Sequence, residues 1–421
     1  DIYGFFDENS QWQKHLSLLK QGIGKTAKPE RLSPKTTKAL YGKNIFSSVS
    51  RLERFAGCPF SFFAEYGLKA EERRLYQLNT PDLGSLFHEV LELFSNKLEQ
   101  DSLLWTSLTK EETTARIHAA VEDAAPRLGN RILLDSAANQ YLIRRLKRIS
   151  TRAAWTLVQH LQQGDFVPAG YEVGFGAHEA LPPIVIRLQD GGSLILNGKI
   201  DRVDLLDANG TRYVKIIDYK SGNKTFHFQD IYYGLQLQLL VYLDAYLKYY
   251  KKTGASFKPG GVFYFRITDP TLALDEELSA EAIEKILYEK MRMSGLLLQE
   301  DVLIHGLDHS LAESRSSAIV PVGYTKKGDP TAASNLATEE QYAAILDFVA
   351  TRTQEIGDAM KAGIITPAPY RDGQRTPCSY CSYRSLCRHS YREAPRWRKL
   401  KKIDKADFWE SITPKQPLET E

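Results

Sequence analysis

The sequence predicts an α/β fold: a mixed sheet flanked by helices, with helical additions before and after it. Three observations predict this. Five short runs between residues 171 and 267 alternate apolar and polar residues or are apolar throughout, as strands do. Those runs are "YEVGFG" (171–176), "PIVIRL" (183–188), "SLILNGKIDRVDLL" (193–206), "RYVKIIDYKSG" (212–222) and "VFYFRI" (262–267), with turn signals at "DGG" and "DANG". The pattern on either side has the helical period, and a long amphipathic stretch, "DIYYGLQLQLLVYLDAYLKYY", stands between the fourth and fifth runs.

Residues 1–45 are mixed and read as a linker from a missing upstream region. Their "GIGKT" (22–26) is not a phosphate-cradling loop, because the glycine that motif needs five residues before Gly-Lys is Leu19. Residues 46–165 read as helical. Within them "TPDLGSLFHEVLELFSNKLE" has Thr80 as a cap, Pro81 in the first turn and apolar residues at 83, 86, 87, 90, 91 and 94. Residues 166–267 form the predicted core, 268–340 an insertion, 341–390 a helix followed by a cysteine cluster, and 391–421 a basic tail.

The apolar fraction of 43% and charged fraction of 25% are those of an ordinary globular protein. No apolar run reaches the roughly 18–20 residues of a membrane helix, and no signal segment opens the chain. The net charge of +3 is small, yet ten Arg/Lys against two acids fall between Arg371 and Lys402. Such a local excess suits a polyanionic partner.

Four cysteines in 421 residues are no disulfide framework. Cys378, Cys381 and Cys387 form a C-x2-C-x5-C cluster, and Cys58 in "FAGCPFSFF" stands 320 residues upstream. This is the pattern of a four-thiolate metal site stapling the two ends of the chain. Zinc more often draws on two C-x-x-C pairs; a one-plus-three arrangement fits an iron–sulfur cluster at least as well. His389 is an alternative ligand.

"Asn209-Gly210" signals a tight two-residue hairpin, in which paired positions sum to 419. Asp201 then stands across from Asp218, and two opposed carboxylates destabilise a sheet. A divalent cation between them removes the conflict, and hard oxygens suit Mg2+ or Mn2+. Lys220 shares the face of Asp218. Asp204 falls on the other face, opposite Lys215, as half of a structural ion pair. The same register sets Lys199 against Lys220, which requires a bulge, strand twist or bound phosphate. Two carboxylates, a metal and a lysine suit phosphodiester hydrolysis.

The order helix, three-strand meander, helix, strand, with x-Asp…Asp-x-Lys, resembles the PD-(D/E)xK (restriction-endonuclease-like) nucleases. "GSLFHEVLE" resembles the G-x-x-x-H helix of RecB-type members, "GKIDRVD" their G-x-I-D-R-x-D motif, "IIDYKSG" their D-Y-K-(S/T) motif and "LQLQLLVYLDA" their glutamine motif. "CPFSFFAEYGLK" with "CSYCSYRSLC" resembles the iron–sulfur staple of the AddB (RexB) family. Those proteins are subunits of bacterial AddAB helicase–nucleases. The resemblance covers residues 46–390. It implies that His88, Asp201, Asp218 and the backbone carbonyl of Tyr219 hold Mg2+ (Mn2+ or Ca2+ in its place). It implies that Lys220 is the catalytic lysine and that Cys58, Cys378, Cys381 and Cys387 hold a [4Fe–4S] cluster. Gln236 is the active-site glutamine by the "Q-L-Q-L" run, Gln238 by its spacing to Tyr242. Glu172 is a candidate supporting acid. The implied activity is cytoplasmic, metal-dependent exonucleolytic cutting of single-stranded DNA, the strand ending 5′ at a double-strand break, in a heterodimer with an AddA-like subunit. Two alternatives stand beside it: a non-enzymatic, metal-stapled DNA-end-binding module, and a free-standing RecB-like exonuclease.

Overall fold

Asn209 and Gly210 take φ angles of 50° and 75°, the left-handed pair that a two-residue hairpin bend requires. The register they set runs from Ala208↔Thr211 to Arg202↔Ile217, the pairing expected from the Asn-Gly signal. The computed structural model describes residues 10–23, 31–71, 80–127, 137–272, 277–387, 389 and 397–413. Gly24, Lys25 and Thr26 of the "GIGKT" segment, the capping predicted for Thr80 and Pro81, and Arg388, Arg392 and Arg396 of the basic run lie outside the described residues and side chains.

The strands are β1 (Ile45–Ser47), β2 (Val167–Phe175), β3 (Ile184–Arg187), β4 (Ser193–Leu196), β5 (Gly198–Ala208), β6 (Thr211–Lys220), β7 (Lys258–Arg266), β8 (Ser294–Leu298), β9 (Leu336–Ala337), β10 (Tyr370–Arg371) and β11 (Arg398–Lys399). The helices that matter below are α1 (Ser10–Ile23), α2 (Pro34–Tyr41), α3 (Val49–Gly57), α4 (Thr80–Gln100), α5 (Lys110–Ala124), α6 (Ala137–Gln162), α7 (Phe228–Tyr232), α8 (Gln238–Lys252), α9 (Ala280–Lys290), α10 (Glu339–Lys361) and α11 (Lys405–Ile412).

The main sheet is mixed, in the order β2-β5-β6-β7-β8-β9. β6 and β7 pair in parallel, joined by the α7–α8 crossover; β2–β5, β5–β6 and β7–β8 are antiparallel. A parallel central strand is covered on both faces, which is why "VFYF" (262–265) is apolar throughout and fully buried. Helices flank the sheet, and α4, α5 and α6 pack on one another with Phe94 edge-on to Trp105 at 5.0 Å.

Several boundaries differ from the sequence reading. The run 193–206 is two strands. β4 joins a small sheet, β1-β4-β3, and Asn197 donates its N–H to the Ser47 carbonyl, so the chain changes sheets at Asn197-Gly198. The stretch 230–250 is two helices, α7 and α8, because Gly234 takes a φ of 74° and ends the first. The 268–340 segment is not a mere insertion: it supplies β8 and β9 to the main sheet. Residues 1–45, expected as linker, include α1 and α2. The basic tail is docked: β11 pairs with β10, and Phe408 and Trp409 of α11 lie 5.1 and 5.5 Å from the Phe228 ring. The β1–β4, β7–β8 and β10–β11 pairings and the docking of α11 join segments far apart in the chain, and no local pattern announces them.

Candidate active site and cysteine cluster

Three adjacent strands bring acids together. The pairs Tyr171↔Arg202 and Val173↔Ile200 put Glu172 beside Asp201 on one side. The pair Arg202↔Ile217 puts Asp218 beside it on the other. His88 enters from α4, its Nδ1 3.3 Å from Asp201 Oδ2. The same oxygen accepts the Tyr219 N–H at 2.6 Å. Lys220 reaches back along β6 to Asp218, Nζ to Oδ2 2.5 Å. The ligand atoms of His88, Glu172 and Asp201 all fall within 4.8 Å of one another. Such a mixed oxygen–nitrogen set fits a divalent cation.

Local sequence explains how the parts approach. Gly84 lets α4 close on the turn after β6: a Cβ there would stand 3.0 Å from Ser221 Oγ. Gly198 lets α8 close on β5, since a Cβ would stand 2.1 Å from Tyr242 Oη. Glu172 holds a φ of 46° inside a strand. A non-glycine residue there stores strain, and it is retained where the side chain joins His88 and Asp201. A cleft of about 710 Å³ opens over this region, lined by Gly84, Ser85, His88, Glu92, Glu172 and Ser221 among others.

Electrostatics report the crowding. Burial, then Asp201, pushes Asp218 up to about 6. Burial, then Asp201 and Glu92, pushes Glu172 up to about 7. Burial pulls the His88 imidazole down, but Asp201 and Asp218 outweigh it and the net shift is upward. Lys220 is likewise raised: burial opposes its charge, and Asp218 more than restores it. Uncompensated negative charge is what a bound cation relieves.

The expected Lys199–Lys220 conflict does not arise. Lys199 is 52% exposed and lies 3.9 Å from Glu172 Oε2. Asp204 pairs with Lys215 at 2.9 Å, as the register requires, and also with Arg202 at 2.6 Å. All three are buried, with Arg202 over the Trp105 ring and Lys215 over Phe166. This charge cluster is the structural underside of the sheet.

Gln236 and Gln238, between which the sequence left the active-site glutamine open, sit in different surroundings. The Gln236 amide is spent on a neighbouring loop: Nε2 donates to the Thr225 carbonyl at 2.7 Å and Oε1 accepts from His227 N at 2.9 Å. Gln238, the first residue of α8, hydrogen-bonds the Tyr242 hydroxyl, which feels the Asp218 and Asp201 charges. Gln236 lies in the link between α7 and α8, whereas Gln238 is the first residue of α8. Glu53 of α3 went unread in the sequence. Its Oε1 accepts the N–H groups of Leu237 and Gln238 at 2.8 and 3.1 Å, capping α8, and its Oε2 lies 3.3 Å from Lys224 Nζ. A cap supplied from 185 residues away carries no local signal.

Cys58, Cys378, Cys381 and Cys387 line one small cavity together with His389, and none of the four is in a disulfide. Burial raises the Cys58 thiol, while N–H groups of Ser61, Phe60 and Ala368 favour its thiolate. His389 N donates to Cys387 Sγ at 3.4 Å. Among the described residues no three of the thiols come within 4.8 Å of one another as the His88 group does. A tetrahedral zinc site, with Zn–S of about 2.3 Å, needs sulfurs about 3.8 Å apart.

The family described as the PD-(D/E)XK nuclease superfamily matches residues 47–388. The chain is 40% identical over 415 residues to the B subunit of the ATP-dependent helicase/deoxyribonuclease of Alkaliphilus oremlandii, covering 98% of this chain and 36% of that protein. It is 42% identical over 389 residues to the protein of that name from Alkaliphilus metalliredigens, covering 92% and 34%. For the one from Thermoanaerobacter sp. the identity is 35% over 413 residues, covering 98% and 36%. The chain thus spans about a third of the length of the curated relatives it matches.

Proposed function

The chain belongs to the PD-(D/E)XK nuclease superfamily, and from that premise we propose that it hydrolyses DNA phosphodiesters with a divalent cation, Mg2+ first. The observation that carries this reading is the meeting of His88, Glu172 and Asp201 within 4.8 Å, with the Asp218–Lys220 pair beside them. His88, Asp201, Asp218 and the Tyr219 carbonyl would hold the cation. When bound, it supplies Lewis acidity toward the scissile phosphate. The protein's own groups do the rest. Lys220 presents an ammonium to the charge that develops on phosphate. Asp218 holds that ammonium in place, and Tyr219 N–H fixes the Asp201 carboxylate. Gln238 and Tyr242 orient water or substrate at the N-terminus of α8.

The relatives' names support a wider setting: one component of a helicase–nuclease, paired with an AddA-like partner. In that setting the chain cuts single strands, the 5′-ending one, exonucleolytically during double-strand-break repair in the cytoplasm. Among the described residues no helix is long and apolar enough to cross a membrane. The four cysteines would carry a [4Fe–4S] cluster that ties α3 to the C-terminal segment. The division into a helical part, nuclease core and cysteine segment belongs to the same proposal, with β8 and β9 now counted in the core.

The test is cleavage of labelled single-stranded DNA with and without a chelator. Hydrolysis that stops in chelator, returns with Mg2+ and is absent in Lys220→Ala supports the reading. A Lys220→Ala protein that cuts as fast as the parent removes it, and leaves the non-enzymatic end-binding module standing.

A further inference from the structure

We propose that a second groove, between α6 and α9, binds the backbone of single-stranded DNA away from the cutting site. α6 is 26 residues long, holds five Arg/Lys and has no acid. Arg144, Arg148 and Arg152 recur one turn apart along the wall of a cavity of about 580 Å³. Like charges at that spacing repel. Their relief within the protein is partial: Asp269 lies 2.6 Å from Arg148 and 3.7 Å from Arg152, and Glu284 lies 3.9 Å from Arg152. Lys285 faces them from α9. Trp155 and Tyr288 also line the cavity, over an apolar floor of Leu287 and Met291. Cations along a groove with aromatic faces make up the chemistry that holds single strands, phosphates on the charges and bases on the rings. The volume suits a small ligand, within about 300–1,000 Å³, and so a nucleotide or two rather than a duplex.

Its place ties it to the catalytic end of the sheet. Asp269, held by Arg148 and Arg152, follows β7 by three residues, and the last residue of β7, Arg266, pairs with Lys220. A strand lying in this groove therefore passes beside the loop that leaves the catalytic end. The proposal rests on the nuclease reading only for its choice of DNA as the polyanion.

The experiment measures binding of a fluorescein-labelled single-stranded oligonucleotide by anisotropy, in chelator, so that no cutting is needed. Arg144→Glu and Arg145→Glu are compared. Both residues are exposed neighbours on α6, but only Arg144 lines the groove. Arg144→Glu should raise Kd at least about fivefold at low salt and reduce the slope of log Kd against log salt by about 0.7. Lys285→Glu, from the opposite wall, should repeat this, while Arg145→Glu stays within about twofold of the parent. Equal binding by all the variants overturns the proposal and leaves the groove to an acidic protein surface instead. Equal losses for Arg144→Glu and Arg145→Glu also overturn it, since they mean a diffuse field. None of these outcomes touches the metal-dependence test of the nuclease site.

Discussion

Asp201 and Tyr219 are joined across two strands, the Asp201 carboxylate accepting the Tyr219 N–H at 2.6 Å. The bond aims one oxygen of Asp201 along β6, where His88 Nδ1 also meets it. It leaves the carboxylate's charge beside Asp218 and Glu172. Asp201→Asn keeps an acceptor for Tyr219 and removes that charge. Hydrolysis should fall at least about 100-fold. The metal-free protein should become more stable at pH 8, by up to about 1 kcal/mol, because a like-charge neighbour is gone. Thermal melts in chelator check the second half. A lower melting temperature for Asp201→Asn would mean the three acids do not repel in the absence of metal.

Stability of the metal-free protein should depend on pH with a definite sign. Asp218 is raised from 3.8 to about 6 and Glu172 from 4.5 to about 7. Each contributes stability that is complete below its unfolded pKa and is lost as pH rises through the folded one. His88, raised from 6.5, acts in the same direction, losing its contribution above its folded pKa. Melting temperature in chelator should therefore fall between about pH 4 and pH 8 from these groups. Added Mg2+ should raise it more at pH 8 than at pH 5.5, where protons already do part of the cation's work. An equal Mg2+ shift at both values would contradict the pairing of these groups with a metal.

The acid-bearing hairpin was legible because its signals are local. An Asn-Gly bend fixes register, register fixes which acids meet, and alternation fixes the face. The G-x-x-x-H helix, the D-Y-K strand and the cysteine spacing were legible for the same reason. Glu172 was harder to weigh: its strand pairs with β5, but its left-handed backbone has no sequence mark. Glu53, the β8–β9 extension and the docking of α11 on α7 depend on segments far apart in the chain, and periodicity within one segment is blind to them. The boundary between α7 and α8 was legible in principle, since Gly234 stands inside the apparent helix, one turn from its start, and glycine there is costly.

The start of α8 falls between two glutamines for which different roles are proposed. Gln236 is 4% exposed and bonds the 225–227 loop through both ends of its amide. Gln236→Ala should therefore cost about 1–3 kcal/mol of stability, by leaving buried backbone groups unpaired. Gln238 meets Tyr242 beside the acids. Gln238→Ala should lower kcat about tenfold or more, with little change in melting temperature. Steady-state rates and thermal melts on the two variants separate the assignments, and a reversed result would return the active-site role to Gln236.

The cysteine ring makes a claim about distant parts of the chain. Cys58 ends α3, the helix whose Glu53 caps α8 and so holds Gln238. Cys378, Cys381 and Cys387 lie more than 300 residues on. A group bound by all four contributes its binding free energy to folding. Because α3 reaches α8 through Glu53, loosening it should be felt at the proposed active site as well. The purified protein should be yellow-brown, with iron and acid-labile sulfide in equal amounts near four per chain. Cys387→Ser should bleach the colour and expose both the Cys58 segment and the 378–387 segment to protease. It should also reduce hydrolysis, although it touches no catalytic group. A colourless parent with one zinc would replace the cluster while keeping the staple. A bleached variant that resists protease and cuts normally would show that neither end of the chain depends on what the four thiols hold.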